Sequence, residues 1–195
     1  LWRQTLRRLD AEAIRDTLLY VGGNLSDMQS GPSVWPSLSQ EVRDAANPVS
    51  IHDWVDSPVE QQSCRSIYLI NKRSLRVPIL EVFDMVDSNA PVGQRPSTTT
   101  SLQSLMLLND GFVERQAEQL AKRLQPYFTD SKQSRLQRLW QWVYQRAASN
   151  EEIDACLAYL ESIATSAAEQ DGNEKRMWVR LCHALLNTNE LIYVD

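Results

Sequence analysis

The sequence predicts a mainly α fold of about six helices, with one extended segment or small ribbon and a long irregular loop region. Apolar residues recur at helical spacing along most of the chain, from Ala11, Ile14 and Leu18 through Trp178, Leu181 and Leu185. Two capping-box patterns, Thr100 with Gln103 and Ser149 with Glu152, mark helix starts. Pairs containing proline (Gly31-Pro32, Trp35-Pro36, Asn47-Pro48, Ser57-Pro58) break regular structure between 24 and 63.

The first helix is expected from Gln4 to Val21, ended by Gly22-Gly23, with Glu12 and Asp16 bracketing Arg15. That charged group reads either as a solvated face with an intrachain ion pair or as a polar strut toward the central loop. A short helix is expected at Ser39–Ala46, capped by Ser39. Trp35 and Trp54 read as lids over the core or as stacking platforms for sugar rings. Arg65–Asn71 alternates like a strand, although no partner strand is evident.

The stretch from Pro78 to Phe112 carries the densest local chemistry. An apolar run ends at Asp84, and a polar loop bearing Asp84, Asp87, Asn89 and Arg95 closes onto Thr98, Thr99 and Thr100. A helix from Ser101 is expected to bury Leu102, Leu105, Met106 and Asn109. Further helices are expected over Gly111–Gln125 capped by Asp110, Lys132–Ala147, from Ser149 to about Ala168, and Glu174–Leu186, with a turn at Asp171-Gly172-Asn173 and an apolar docked tail, Leu191–Val194.

Composition bounds the function. The chain has 195 residues, 43% of them apolar and 23% charged, which suits one domain spanning 1–195 with a variable region at about 24–64. A net charge of −5 argues against nucleic acid as a partner. No apolar run reaches the roughly 18–20 residues a membrane span needs. Cys64, Cys156 and Cys182 form no C-x-x-C pair, and with only His52 and His183 neither a histidine-rich metal site nor a C-x-x-C-H haem attachment is written in the chain. Cys156 and Cys182 read as core residues or as a mutual disulfide.

Between Arg65 and Arg95 lie five basic residues and three acidic. In one reading, Arg73 and Arg95 grip an anion, with Asn89, Thr98 and Thr100 at the helix start completing the site. In another, Arg73 and Arg95 pair with Asp84 and Asp87 and fix the loop. Asp84 and Asp87 are also the candidates for acid–base catalysis, or for a calcium site with Asn89. Ser33 and the threonine run have no neighbouring histidine to activate a nucleophile.

The signature FDMVDSNAPVGQRPSTTTSLQSLMLLNDGFVERQAEQLAKRL resembles the centre of a planctomycete C-terminal domain of unknown function, number 1553. The blocks at 7–25, 30–34, 65–81 and 181–195 resemble it too. The resemblance implies a place at the C-terminus of a large exported protein whose upstream domains are of cytochrome c type, and the first reading of the chain in that context is a non-catalytic helical scaffold or binding module. It implies a periplasmic or cell-surface location and covalent haem upstream; the missing C-x-x-C-H leads to the expectation of no cofactor in this chain. The implied partners are the upstream domains themselves, and the anion-site reading of Arg73 and Arg95 adds an anionic or sulfated glycan. The alternative is a share in a composite enzyme site, haem-linked or polysaccharide-processing, that upstream domains complete. The opening Leu1-Trp2-Arg3 reads as an interior start, a piece of something longer.

Overall fold

The computed structural model of the chain describes residues 6–89, 91–166 and 173–194, and is mainly α. Two compact units emerge. The N-terminal unit comprises Arg8–Tyr20 and Asn24–Met106; the C-terminal unit comprises Leu1–Arg7, Val21–Gly23 and Leu107–Asp195.

Helix α1 (Ala11–Gly22) buries Ala11, Ile14, Leu18 and Val21, the stripe its sequence predicts. It ends at Gly23, whose φ of 77° lies in the left-handed region where a Cβ would be penalised. Its start is later than expected. Leu6–Asp10 is not helical, Arg7–Arg8 forms strand β1, and Gln4 and Thr5 lie outside the described residues. The Asp10 carbonyl accepts the first helical bond, from the Ile14 amide.

Arg15 and Asp16 then shape the segment from 62 to 66. Arg15, only 3% exposed, donates to the carbonyls of Cys64 (2.9 Å) and Gln62 (2.6 Å). Asp16 accepts from the amide and hydroxyl of Ser66 at 2.8 and 2.7 Å. Within 65–71 the Ser66 amide is thereby taken by a side chain, and the Tyr68 and Leu69 amides turn back to the carbonyls of Arg65 and Ser66. The expected strand at Arg65–Asn71 is accordingly replaced by a 3₁₀ turn at Ser66–Tyr68, and only Leu69 makes a parallel bridge, to Val34.

Four short helices punctuate this unit: α2 (Gln40–Ala45), α3 (Pro48–Ile51), α4 (Val59–Gln62) and α5 (Pro78–Val82). Ser39 caps α2 as expected, accepting from the Val42 amide. Trp54 is a lid: it is buried, bonds the Pro36 carbonyl through Nε1 (3.1 Å), and meets the half-buried Trp35 edge to face.

Helix α6 (Ser101–Asn109) begins where the capping box places it, but its buried face differs from the expected one. Gln103 and Leu107 are buried, while Leu102, Leu105 and Leu108 are more than half exposed. Gln103 donates through Nε2 to the carbonyls of Val82 (3.1 Å) and Thr98 (3.2 Å). Those bonds draw position 103 inward and leave 102 and 105 outside.

In the C-terminal unit, α7 (Gly111–Leu124) is capped by Asp110, which accepts from the Phe112 amide at 2.7 Å. Helix α8 (Lys132–Val143) is capped by Ser131 and stops short of the expected Ala147, with Tyr144 as its C-cap and Gln145 at φ 58° just beyond. Helix α9 (Asn150–Ser166) opens with a complete capping box: Ser149 Oγ accepts from the Glu152 amide, and Glu152 from the Ser149 amide. The expected extension to Ala168 and most of the Asp171–Asn173 turn lie outside the described residues.

Helix α10 (Asn173–Leu186) packs chiefly on α7 and then on α9, burying Trp178, Leu181, Cys182 and Leu185. The tail docks as α11 (Asn189–Ile192), with Leu191 and Ile192 buried, and runs into strand β2 (Tyr193–Val194). Strand β2 pairs with β1 in a two-strand antiparallel ribbon. Arg146 ties the start of α9 to α11 by bonding both Glu152 and Glu190. All three cysteines are free and buried, so Cys156 and Cys182 are core residues and not a disulfide. Burial pushes the Cys182 thiol far up.

Core and surface leucines separate in a simple measurement. Leu120→Ala is expected to cost about 2–5 kcal/mol, because Leu120 is fully buried. Leu105→Ala is expected to shift stability by no more than about 0.5 kcal/mol. Urea denaturation of the two variants checks both values.

Candidate functional site

The central loop is closed by a buried arginine that the sequence did not single out. Helix α5 ends at Val82 with Phe83 as its C-cap, and the next residue, Asp84, adopts φ 62°, a left-handed conformation that Asp tolerates better than most residues. Asp84 Oδ2 accepts from Arg8 Nη2 (2.8 Å) and from the Thr98 amide (2.8 Å), and the Thr98 hydroxyl donates to both carboxylate oxygens. Arg8 also donates to the carbonyls of Thr98 (2.9 Å) and Phe83 (3.1 Å), and its guanidinium lies over the Phe83 ring. The Arg8 side chain is only 4% exposed.

Gln103 completes the cluster. Its Oε1 accepts from the Thr100 amide at 3.3 Å while its Nε2 holds the Val82 and Thr98 carbonyls. The capping box therefore also joins α5 and the loop end to α6. Burial alone would push the Asp84 carboxyl up, but the Thr98 amide and hydroxyl and the Arg8 guanidinium together hold it below its ordinary value.

The remaining candidates go elsewhere. Asp87 pairs with Arg76 (2.6 Å) and accepts from the amide and side chain of Asn89, which hold its carboxyl low. Arg95 reaches neither aspartate. It grips Glu12 through two bonds, of 2.6 and 3.1 Å, so Glu12 is the strut that α1 offers to the loop. Arg73 is exposed and makes no ion pair among the described residues. Thr98 serves Asp84 and Arg8, and Thr100 is exposed with its amide on Gln103. The loop is thus clasped, with Arg8 in the place expected for Arg95.

Asp84 and Asp87, each turned to a different arginine, do not form a paired acid–base site. Nor do Asp84, Asp87 and Asn89 converge as cation ligands, because both Asp84 oxygens face Arg8 and Thr98. No C-x-x-C-H motif for covalent haem is written in the chain. His52 is exposed beside Asp53, His183 Nε2 lies 3.2 Å from the Leu107 carbonyl, and no cysteine pair precedes either histidine.

The family model described as protein of unknown function DUF1553, PSD1, matches residues 1–160, which include every residue of the clasp. The chain belongs to that family. Comparison of this DUF1553 chain with curated proteins and with solved structures finds no match.

Two measurements test the clasp. Arg8→Ala strands a largely buried carboxylate and is expected to cost about 3–5 kcal/mol. Arg95→Ala, at an exposed pair, is expected to cost no more than about 1 kcal/mol. The second test concerns pH. The folded Asp84 carboxyl titrates below the ordinary aspartate value of about 3.9. Its stabilisation is therefore complete above that value and is lost as pH falls through the lower, folded one. The difference in melting midpoint between wild type and Asp84→Asn is expected to shrink between about pH 5 and about pH 2.

Proposed function

We propose that this chain is a non-catalytic helical scaffold or binding module at the C-terminus of a large exported planctomycete protein, with cytochrome c-type domains upstream. Its role is to present a fixed surface to those domains at the periplasm or cell surface, and any turnover belongs to them.

One observation carries the reading. The carboxylate best placed for chemistry, Asp84, is saturated by Arg8 and Thr98, and the loop's other charges, Asp87 and Arg95, are likewise paired internally. A general base has to accept a proton from a substrate within hydrogen-bond reach. A carboxylate held by a buried guanidinium, an amide and a hydroxyl is instead a structural pin, held well below neutral pH as a proton acceptor.

The test is reconstitution in trans. The 195-residue chain and the upstream remainder of its parent protein, produced as separate polypeptides, are expected to associate when mixed, as read by calorimetry and size-exclusion chromatography. The upstream part alone is expected to retain the full turnover of the parent. Separate migration, or turnover that appears only when both parts are mixed, would overturn the reading.

A further inference from the structure

The C-terminal unit carries a basic face that the clasp does not explain. From Arg115 to Arg146 there are seven basic residues against two acidic, in a chain whose net charge is −5. Arg135 is buried on Glu174, and Arg146 is satisfied by Glu152 and Glu190. Lys122 and Arg123 are exposed and make no ion pair among the described residues, and Arg138 has only Asp130, at 3.6 Å.

Two of these cations are fixed in a contiguous ladder. The Arg123 guanidinium lies 4.2 Å over the Trp142 ring, Trp142 meets Tyr127 edge to face at 5.9 Å, and Arg138 lies 4.0 Å over Tyr127. Arg123 is anchored further by a bond from Nη1 to the Val21 carbonyl. A solvated basic face would leave each long side chain free to sample rotamers. Here stacking has already ordered the guanidiniums, so less entropy is lost when their remaining N–H groups meet a carboxylate.

From this ladder we infer that the Arg123–Trp142–Tyr127–Arg138 face docks an acidic segment of a partner protein. The inference rests on the binding-module reading and names the chemistry of its partner. Charge complementarity selects an anionic ligand, and two features favour a peptide over a sugar. Trp, Tyr and Arg are the residues that dominate protein–protein hot spots. Each aromatic ring also has a face covered by a guanidinium, whereas sugar binding uses open ring faces.

The experiment uses the full chain with poly-L-glutamate and dextran sulfate as probes, followed by tryptophan fluorescence at low and at physiological salt. Poly-L-glutamate is expected to bind, more weakly as salt rises. Arg123→Gln and Arg138→Gln are each expected to weaken it about tenfold, and Arg123→Lys is expected to weaken it too, because charge is kept but the planar fork is lost. Lys175→Gln, an exposed change on α10, is expected to leave binding and melting midpoint unchanged. The inference is overturned if wild type does not bind poly-L-glutamate, if Lys175→Gln weakens binding as much as the ladder variants, or if dextran sulfate binds more tightly through the same arginines. Failure here, with association to the upstream domains intact, would remove this partner and leave the module reading standing.

Discussion

The N-terminal unit depends on one buried guanidinium. Arg8 leaves β1 and is taken almost wholly out of water, which costs several kcal/mol unless its donors are met. Its two Nη groups are met by three acceptors that a short helix and a long loop bring together, the Phe83 carbonyl, the Asp84 carboxylate and the Thr98 carbonyl, while Nε is buried without a partner among the described residues. Removing the Asp84 carboxylate would leave the buried Arg8 charge without its counter-ion. The loop that follows Asp84 is held where it closes, at Asp84 and Thr98, and is tied between them by Asp87 to Arg76 and by Arg95 to Glu12. A second guanidinium, Arg15, does the same for the segment before Ser66, with backbone carbonyls as its main acceptors. Irregular backbone here is organised by arginines reaching across large sequence separations, where strand pairing would organise a sheet.

The C-terminal unit works by other means. Helices α7, α8 and α9 start at side-chain caps, and with α10 they bury apolar stripes in a core around Leu120, Leu136 and Trp178. Among the described residues Arg135 is the buried charge of that core; its guanidinium lies over both the Phe128 and Trp178 rings and pairs with Glu174. Aromatic faces there take the place of water around a cation.

That contrast explains what the sequence disclosed and what it withheld. The caps at Asp110, Thr100 and Ser149 and the stripes of α7, α8, α9 and α10 are local patterns, set by helical geometry within a few residues, and they were legible. The clasp was not. Arg8 lies 76 positions from Asp84, and nothing local distinguishes it from Arg7 or Arg95. Loop proximity pointed to Arg95, which answers instead to Glu12 on α1. The face of α6 was misjudged for a related reason: Leu102 and Leu105 outweigh Gln103 in apolarity, but the bonds Gln103 makes to two carbonyls decide the rotation. The strand at Arg65–Asn71 failed because, although its alternation was real, the amides of Ser66, Tyr68 and Leu69 bond Asp16 and the carbonyls of Arg65 and Ser66 in a turn.

The three buried thiols have a practical consequence. Cys64 belongs to the N-terminal unit, Cys156 and Cys182 to the C-terminal one, and none is bonded. Burial raises all three above the ordinary thiol value, which suppresses the thiolate on which alkylation depends. Each unit thus carries its own silent reporter. A thiol reagent added under native conditions labels a cysteine only when its surroundings open, so the mass of the labelled peptides records the opening of each unit separately, without any residue having to be introduced.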